Sequence, residues 1–181
     1  MTREERLAAI KILALDVDGV LTDGSLYIGN EGELCKSFNA KDGLGISVAL
    51  RNGLDIAIIT GRKSAIIHRR AAELGITSLY EGVKDKHAVL TALSHARKLQ
   101  AEQIAYMGDD LNDLPAFAAA GLALAPADAV AEVGEAADIV MLHAGGRGAV
   151  REAIEMILQA QGKWDSAVED YKNVKGLGDK Q

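Results

Sequence analysis

LALDVDGVLTDG, residues 13–24, ends an apolar run on a cluster of aspartates, Asp16, Asp18 and Asp23. In extended chain, residues two apart point to the same side, so Asp16 and Asp18 share one small space. Like charges that close raise each other's proton affinity unless a cation lies between them. The stretch therefore reads as the end of a buried strand that opens onto a metal.

The same apolar, branched grain recurs at KILALDV (11–17), LDIAIIT (54–60), SLYEG (78–82), QIAYMGD (103–109), GLALA (121–125) and ADIVML (137–142). Amphipathic segments separate these strands, with helices expected over 63–74, 86–99, 111–120 and 148–160; in the last, Val150, Ile154, Ile157 and Leu158 form one stripe. Strands alternating with helices predict an α/β fold with a doubly wound, mostly parallel sheet. SLYIGNEGELCKSF (25–38) breaks the alternation and predicts a small β-hairpin turning at Asn-Glu-Gly, placed to cover the site or to pair with a neighbouring subunit. GKWDSAVEDYKNVKGLGDKQ (162–181) is polar and glycine-punctuated and reads as a mobile tail.

With 181 residues and no composition break, one domain over 1–181 is expected. The net charge of −6 leaves no basic patch for nucleic acid and points to a small-molecule substrate. No apolar run is long enough to span a membrane. The charged start MTREERLAAIK does not read as a signal peptide, and a lone Cys35 forms no internal disulfide; both fit a cytoplasmic protein.

Polar residues gather at four strand ends, where an open parallel sheet binds its ligands. They are Asp16 with Asp18, Thr60 followed by Gly61-Arg62, Lys86, and Asp109, Asp110 and Asp113 in GDDLND (108–113). A calcium-binding EF-hand loop starting at Asp16 fails, because its glycine falls at position 4 and Tyr27 stands where the bidentate glutamate belongs. GDDLND alone would be a helix cap with an acidic first turn. Beside a second carboxylate strand end, it suggests hard oxygen ligands suited to Mg²⁺. Thr60 can offer a hydroxyl and Lys86 a point charge to a phosphate, so that a carboxylate can attack phosphorus in line. His68, His87, His95 and His143 lack metal-ligand spacing, and Tyr80 and Tyr106 read as packing residues.

DVDGVLTDG, IITGR, GVKDK and GDDLND stand in the order and strand-end context of the haloacid dehalogenase phosphatase superfamily, which the chain resembles over residues 11 to about 160. FNAKDGLGI, IITGRKS, GDDLNDLPAF and GGRGAVRE resemble more narrowly the family of 3-deoxy-D-manno-octulosonate 8-phosphate phosphatases of lipopolysaccharide synthesis. The resemblance implies that Asp16 is a nucleophile forming a phosphoaspartate and Asp18 the general acid and then base. It also implies Mg²⁺ on the Asp16 carboxylate, the Asp18 backbone carbonyl and Asp109, supported by Asp110 and Asp113, with Thr60 and Lys86 on the phosphoryl group. About forty residues separate Asp18 from Thr60, which leaves room for the hairpin but no cap domain. The family implies a homotetramer joined through such hairpins, with C-terminal tails, here GLG at 176–178, reaching neighbouring sites.

Arg62 and Arg70 could meet a sugar-acid carboxylate with a planar fork. Arg62 after TG, and Leu74-Gly75 where a nine-carbon relative carries lysine, favour the eight-carbon substrate. The alternatives are a nine-carbon ester, 2-keto-3-deoxynononic or sialic acid 9-phosphate, or a non-catalytic phospho-ligand or assembly module.

Overall fold

The computed structural model describes residues 1–173. Its centre is β1 (Ile12–Leu15), buried at every position, as a strand flanked on both edges and covered on both faces must be. Parallel neighbours flank it, β4 (Asp55–Ile59) with Ile56 opposite Leu13, and β6 (Ile104–Met107) with Ala105 opposite Leu13. β5 (Ser78–Tyr80) lies outside β4, and β7 (Leu122–Ala125) followed by β8 (Ile139–Val140) outside β6. The sheet order β5-β4-β1-β6-β7-β8 changes direction at β1. Such a reversal opens a crevice beyond the carboxyl ends of the strands, which is where doubly wound sheets bind ligands.

Alternation along the strands splits the core into two layers. Leu13, Leu15, Ile56 and Ile58 face one side, against α1 (Arg3–Ala9), α2 (Ala40–Arg51), α3 (Ala65–Leu74) and α7 (Ala149–Ala160). Ile12, Ala14, Ala57, Ile59 and Tyr106 face the other, against α4 (Lys86–Arg97), α5 (Leu114–Phe117) and α6 (Ala131–Ala136). The stripe Val150, Ile154, Ile157 and Leu158 is fully buried on α7, as its spacing predicts.

All six expected strands form, each within its predicted span. The hairpin forms as well, β2 (Tyr27–Gly29) antiparallel to β3 (Gly32–Cys35), with Gly29 opposite Gly32. Between β1 and β4 there is only this hairpin and α2. The helix expected over 111–120 is shorter: a 3-10 turn at Leu111–Asp113 leads into the single turn of α5. Asp113 causes this, because its carboxylate folds back to bond the amides of Asp109 and Asp110.

The expectation of mobility from 162 onward is corrected for its first half, where α8 (Trp164–Lys172) forms. Trp164, Ala167, Val168 and Tyr171 recur at helical spacing; Ala167 is buried, and Arg151 lies 5.0 Å over the Trp164 ring. The GLG at 176–178 lies outside the described residues. Among the described residues, no helix is long and apolar enough to cross a membrane.

One buried carboxylate joins α2 to α7. Asp42 accepts hydrogen bonds from the Gly148 N–H at 3.2 Å and the Arg151 N–H at 2.8 Å, capping the first turn of α7 from a neighbouring helix. Burial pushes its pKa up, and those two amides oppose the rise. Asp42→Ala leaves the buried Gly148 N–H and the half-buried Arg151 N–H without this partner, so urea unfolding should show a loss of about 1–3 kcal/mol.

Candidate active site

Pairing of β1 with β6 carries on to Asp16, whose N–H donates to the Met107 carbonyl at 3.1 Å. The chain then turns sharply, with Val20, Leu21 and Thr22 all donating to the Val17 carbonyl. Gly19 makes the turn possible: its φ is +89°, and a Cβ there would fall 1.9 Å from Asp109 Oδ2. Gly108 serves the facing strand end, since a Cβ there would lie 2.3 Å from the Asp113 side chain. The two glycines let the ends of β1 and β6 close around their carboxylates.

Asp113 is the hub of the cluster and has no solvent exposure. Its Oδ1 accepts from Lys86 Nζ and from the Tyr106 hydroxyl, each at 2.6 Å. Its Oδ2 accepts from the N–H groups of Asp109 at 3.0 Å and Asp110 at 3.3 Å. Lys86, at the start of α4, also reaches Asp16 Oδ2 at 2.8 Å. Burial opposes the Lys86 charge, but the Asp16 and Asp113 carboxylates outweigh it and raise the pKa. Burial and the same carboxylates drive the Tyr106 hydroxyl well above its usual value, so it stays a donor.

Asp16 and Asp109 are left with unbalanced charge. Burial lifts Asp16 to about 6, with Lys86 opposing the rise. Burial followed by repulsion from Asp16 and Asp113 lifts Asp109 to about 7. Asp109 Oδ1 is buried without a hydrogen-bond partner. Ligand oxygens of Asp16, Asp109 and Asp113 lie within 4.8 Å of one another. Asp113 is already engaged by four donors, so the carboxylates open to a cation are Asp16 and Asp109. The orphaned Asp109 oxygen beside the Asp16 carboxylate fits a small divalent cation.

A cleft of about 230 Å³ opens over the cluster, its lining including Asp16, Asp18, Thr60, Arg62, Asp109, Asp110 and Asn112. Thr60 is buried, its N–H tied to the Tyr80 carbonyl at 2.9 Å. Arg62 is half-exposed, with Nε 3.7 Å from Asp18 Oδ2. The other oxygen of Asp18 accepts from Lys36, a hairpin residue that sequence reasoning missed. Tyr106, read as packing, also belongs to the site through its hydroxyl. Arg70 does not line the cleft: its guanidinium stacks 5.5 Å over Phe38 and pairs with Glu73 at 2.9 Å.

A switch-point aspartate, a second aspartate two residues on, a buried lysine and an acidic loop on the adjoining strand define a haloacid dehalogenase-like hydrolase. A family model of that description matches residues 78–154. The 3-deoxy-D-manno-octulosonate 8-phosphate phosphatase KdsC of Escherichia coli K12 is 49% identical over 158 residues, covering 87% of this chain and 84% of that protein. Its Haemophilus influenzae counterpart is 46% identical over 178 residues, covering 97% and 99%. The Moraxella catarrhalis phosphatase of the same name, solved with magnesium ion, phosphate ion and a KDO molecule, superposes with a TM-score of 0.90 at 38% identity, covering 93% of this chain and 97% of that one. The chain belongs to the 3-deoxy-D-manno-octulosonate 8-phosphate phosphatase family.

The raised carboxyls predict a pH-dependent response to metal. In metal-free protein, native protonation of Asp16 and Asp109 contributes stability that is fully present below the ordinary value of 3.8 and is lost as pH rises through about 6 and about 7. A bound cation takes the place of those protons. Added Mg²⁺ should therefore raise the Tm of chelator-treated protein more near pH 8 than near pH 5.5, measured by thermal melting. Equal shifts at the two pH values would contradict the assignment.

Proposed function

We propose that this chain hydrolyses 3-deoxy-D-manno-octulosonate 8-phosphate to the free sugar acid and phosphate, in lipopolysaccharide precursor synthesis, with Mg²⁺ as cofactor. The observation that carries the reading is the meeting of Asp16 with the buried Lys86 and the orphaned Asp109, beside a cleft that Asp16 and Asp109 line, in a chain 46–49% identical to phosphatases named for this substrate.

In this reading Asp16 attacks phosphorus in line as the bond from phosphorus to the sugar oxygen breaks, and Asp18 passes its proton to that departing oxygen. The products are a phosphoaspartate on Asp16 and an ionised Asp18. Asp18 then takes a proton from water, whose oxygen bonds to phosphorus while the bond to Asp16 breaks. Phosphate leaves, and both aspartates return to their starting states.

Lys86, fixed between Asp16 and Asp113, holds the nucleophile in place and offers positive charge to the phosphoryl oxygens. The Thr60 hydroxyl donates to the same group from the end of β4. Arg62, at the cleft wall beside Asp18, faces the sugar-acid carboxylate. Arg70, engaged with Phe38 and Glu73, has no role in this reading. The Asp16 carboxylate, the Asp18 backbone carbonyl and Asp109 would hold Mg²⁺, with Asp110 and Asp113 keeping that end of β6 in place. When bound, Mg²⁺ offsets the negative charge that phosphate brings to a cluster of carboxylates.

We read the assembly as a homotetramer closed through the hairpins. Leu26, Tyr27, Ile28 and Leu34 are exposed beside two strand edges, an apolar surface that further copies would cover. A cytoplasmic setting keeps the lone Cys35 reduced.

Phosphate release from 3-deoxy-D-manno-octulosonate 8-phosphate, beside the nine-carbon esters, tests the substrate. The eight-carbon ester should be turned over selectively, and chelation should stop the reaction. Asp16→Asn should leave only background activity, and Asp18→Asn should slow turnover by about 10²–10⁴-fold. Preference for a nine-carbon ester would overturn the substrate, and turnover by Asp16→Asn would overturn the nucleophile. Light scattering should give the mass of a tetramer, and Ile28→Asp combined with Leu34→Asp should yield smaller species.

A further inference from the structure

The hairpin turns two charged side chains away from solvent while leaving its large apolar ones exposed. Lys36, just after β3, has a side chain only 1% exposed. Its Nζ donates to Asp18 Oδ1 and lies 2.9 Å from Glu33 Oε1. Glu33 Oε2 in turn accepts from the Ser64 hydroxyl. Ser64 is the cap of α3, accepting from the Ile67 N–H at 3.4 Å, and its own N–H donates to Glu81 Oε1 at 2.8 Å. An unbroken chain of polar contacts therefore runs from Asp18 through the hairpin to the loop that carries Thr60 and Arg62.

A lysine on an exposed hairpin ordinarily keeps its ammonium in water while its stem covers apolar surface. Lys36 does the reverse, and it is buried against a carboxylate of the cleft rather than one of its own hairpin alone. Removing an ammonium from water is costly unless carboxylates meet it, and here two do. Lys36 does not itself line the cleft, so it acts on the chemistry through Asp18.

We infer that Lys36 is a positioning residue for Asp18, held in place by Glu33 and Ser64, so that this chain's own hairpin sets the orientation of its acid and base. The inference rests on the proposed role of Asp18. Lys36 engages Oδ1 directly, whereas Arg62 Nε stays 3.7 Å from Oδ2, beyond hydrogen-bond distance, so Oδ2 is the oxygen left to carry the proton to the departing sugar oxygen. Without Lys36, the Asp18 side chain is free to leave that rotamer. A proton donor misplaced by an ångström can lose about 10²-fold in rate.

The test uses leaving groups of different basicity on the purified full chain. The value of kcat/KM reports events up to departure of the leaving group. The sugar alkoxide of 3-deoxy-D-manno-octulosonate 8-phosphate needs a proton to leave, whereas the p-nitrophenolate of p-nitrophenyl phosphate leaves without one. Lys36→Met keeps the unbranched apolar stem and removes the ammonium. It should lower kcat/KM for the sugar phosphate by about 10²-fold, and the ratio of the two kcat/KM values by about tenfold or more. Lys36→Arg should restore most of the ratio, and Glu33→Gln should give an intermediate loss. An unchanged or increased ratio in Lys36→Met, whatever the absolute loss, overturns the inference, because a merely structural role lowers both substrates alike. If Lys36→Met does not fold, Glu33→Gln decides on the same ratio. Asp18→Asn, measured beside them, separates the two levels. A selective loss there without one in Lys36→Met defeats the inference alone, and an equal loss on both substrates in Asp18→Asn defeats the acid role and the inference with it.

Discussion

The hydrogen bonds to Asp113 are the constraint on which the rest of the site depends. One carboxylate without solvent exposure gathers Lys86 from α4, Tyr106 from β6 and the two amides that begin the acidic loop. A buried carboxylate is tolerable only when it is so fully satisfied. Because those donors come from separate elements, the carboxylate fixes the end of β6 against the start of α4. Lys86 is thereby aimed at Asp16 on the adjoining strand.

Charge explains why the cluster is incomplete by itself. Asp16, Asp109 and Asp113 bring three carboxylates together, and Lys86 supplies one positive charge. Burial first, and then the remaining repulsion, raise the proton affinity of Asp16 and Asp109. A divalent cation answers that repulsion better, because it balances both charges at once and leaves Asp16 ionised to act. The sheet makes such a concentration affordable by dividing it among separate strand ends. Two apolar layers beneath hold those ends rigid, as the orientation of reacting groups requires.

Much of this was legible in the sequence. The buried runs located all six strands, and the polar residues at their ends located Asp16, Asp18, Thr60, Lys86 and Asp109, because strand period and strand termination are local properties. What a side chain does after leaving the backbone was less legible. Asp113 reads as a supporting residue of the acidic loop, and only its folding back over Gly108 makes it the hub. Tyr106 reads as packing because its ring does pack, while its hydroxyl finds Asp113 across the sheet end. Lys36 gave no signal: charge on a hairpin ordinarily means solvent, and its partner Asp18 is eighteen residues away. Arg70 reads as a candidate because its charge is visible and its stacking partner is not. The helix at 164–172 was concealed by polar neighbours, although its apolar spacing was present.

A crystal structure grown with Mg²⁺ and inorganic phosphate tests the central claim most directly, that Asp113 organises the site while Asp16 and Asp109 take the cation. An ion is expected about 2.1 Å from oxygens of Asp16, Asp109 and the Asp18 backbone carbonyl, with Lys86 still bridging Asp16 and Asp113. An ion bonded to Asp113, with Lys86 displaced from it, would remove Asp113 from the role of organiser.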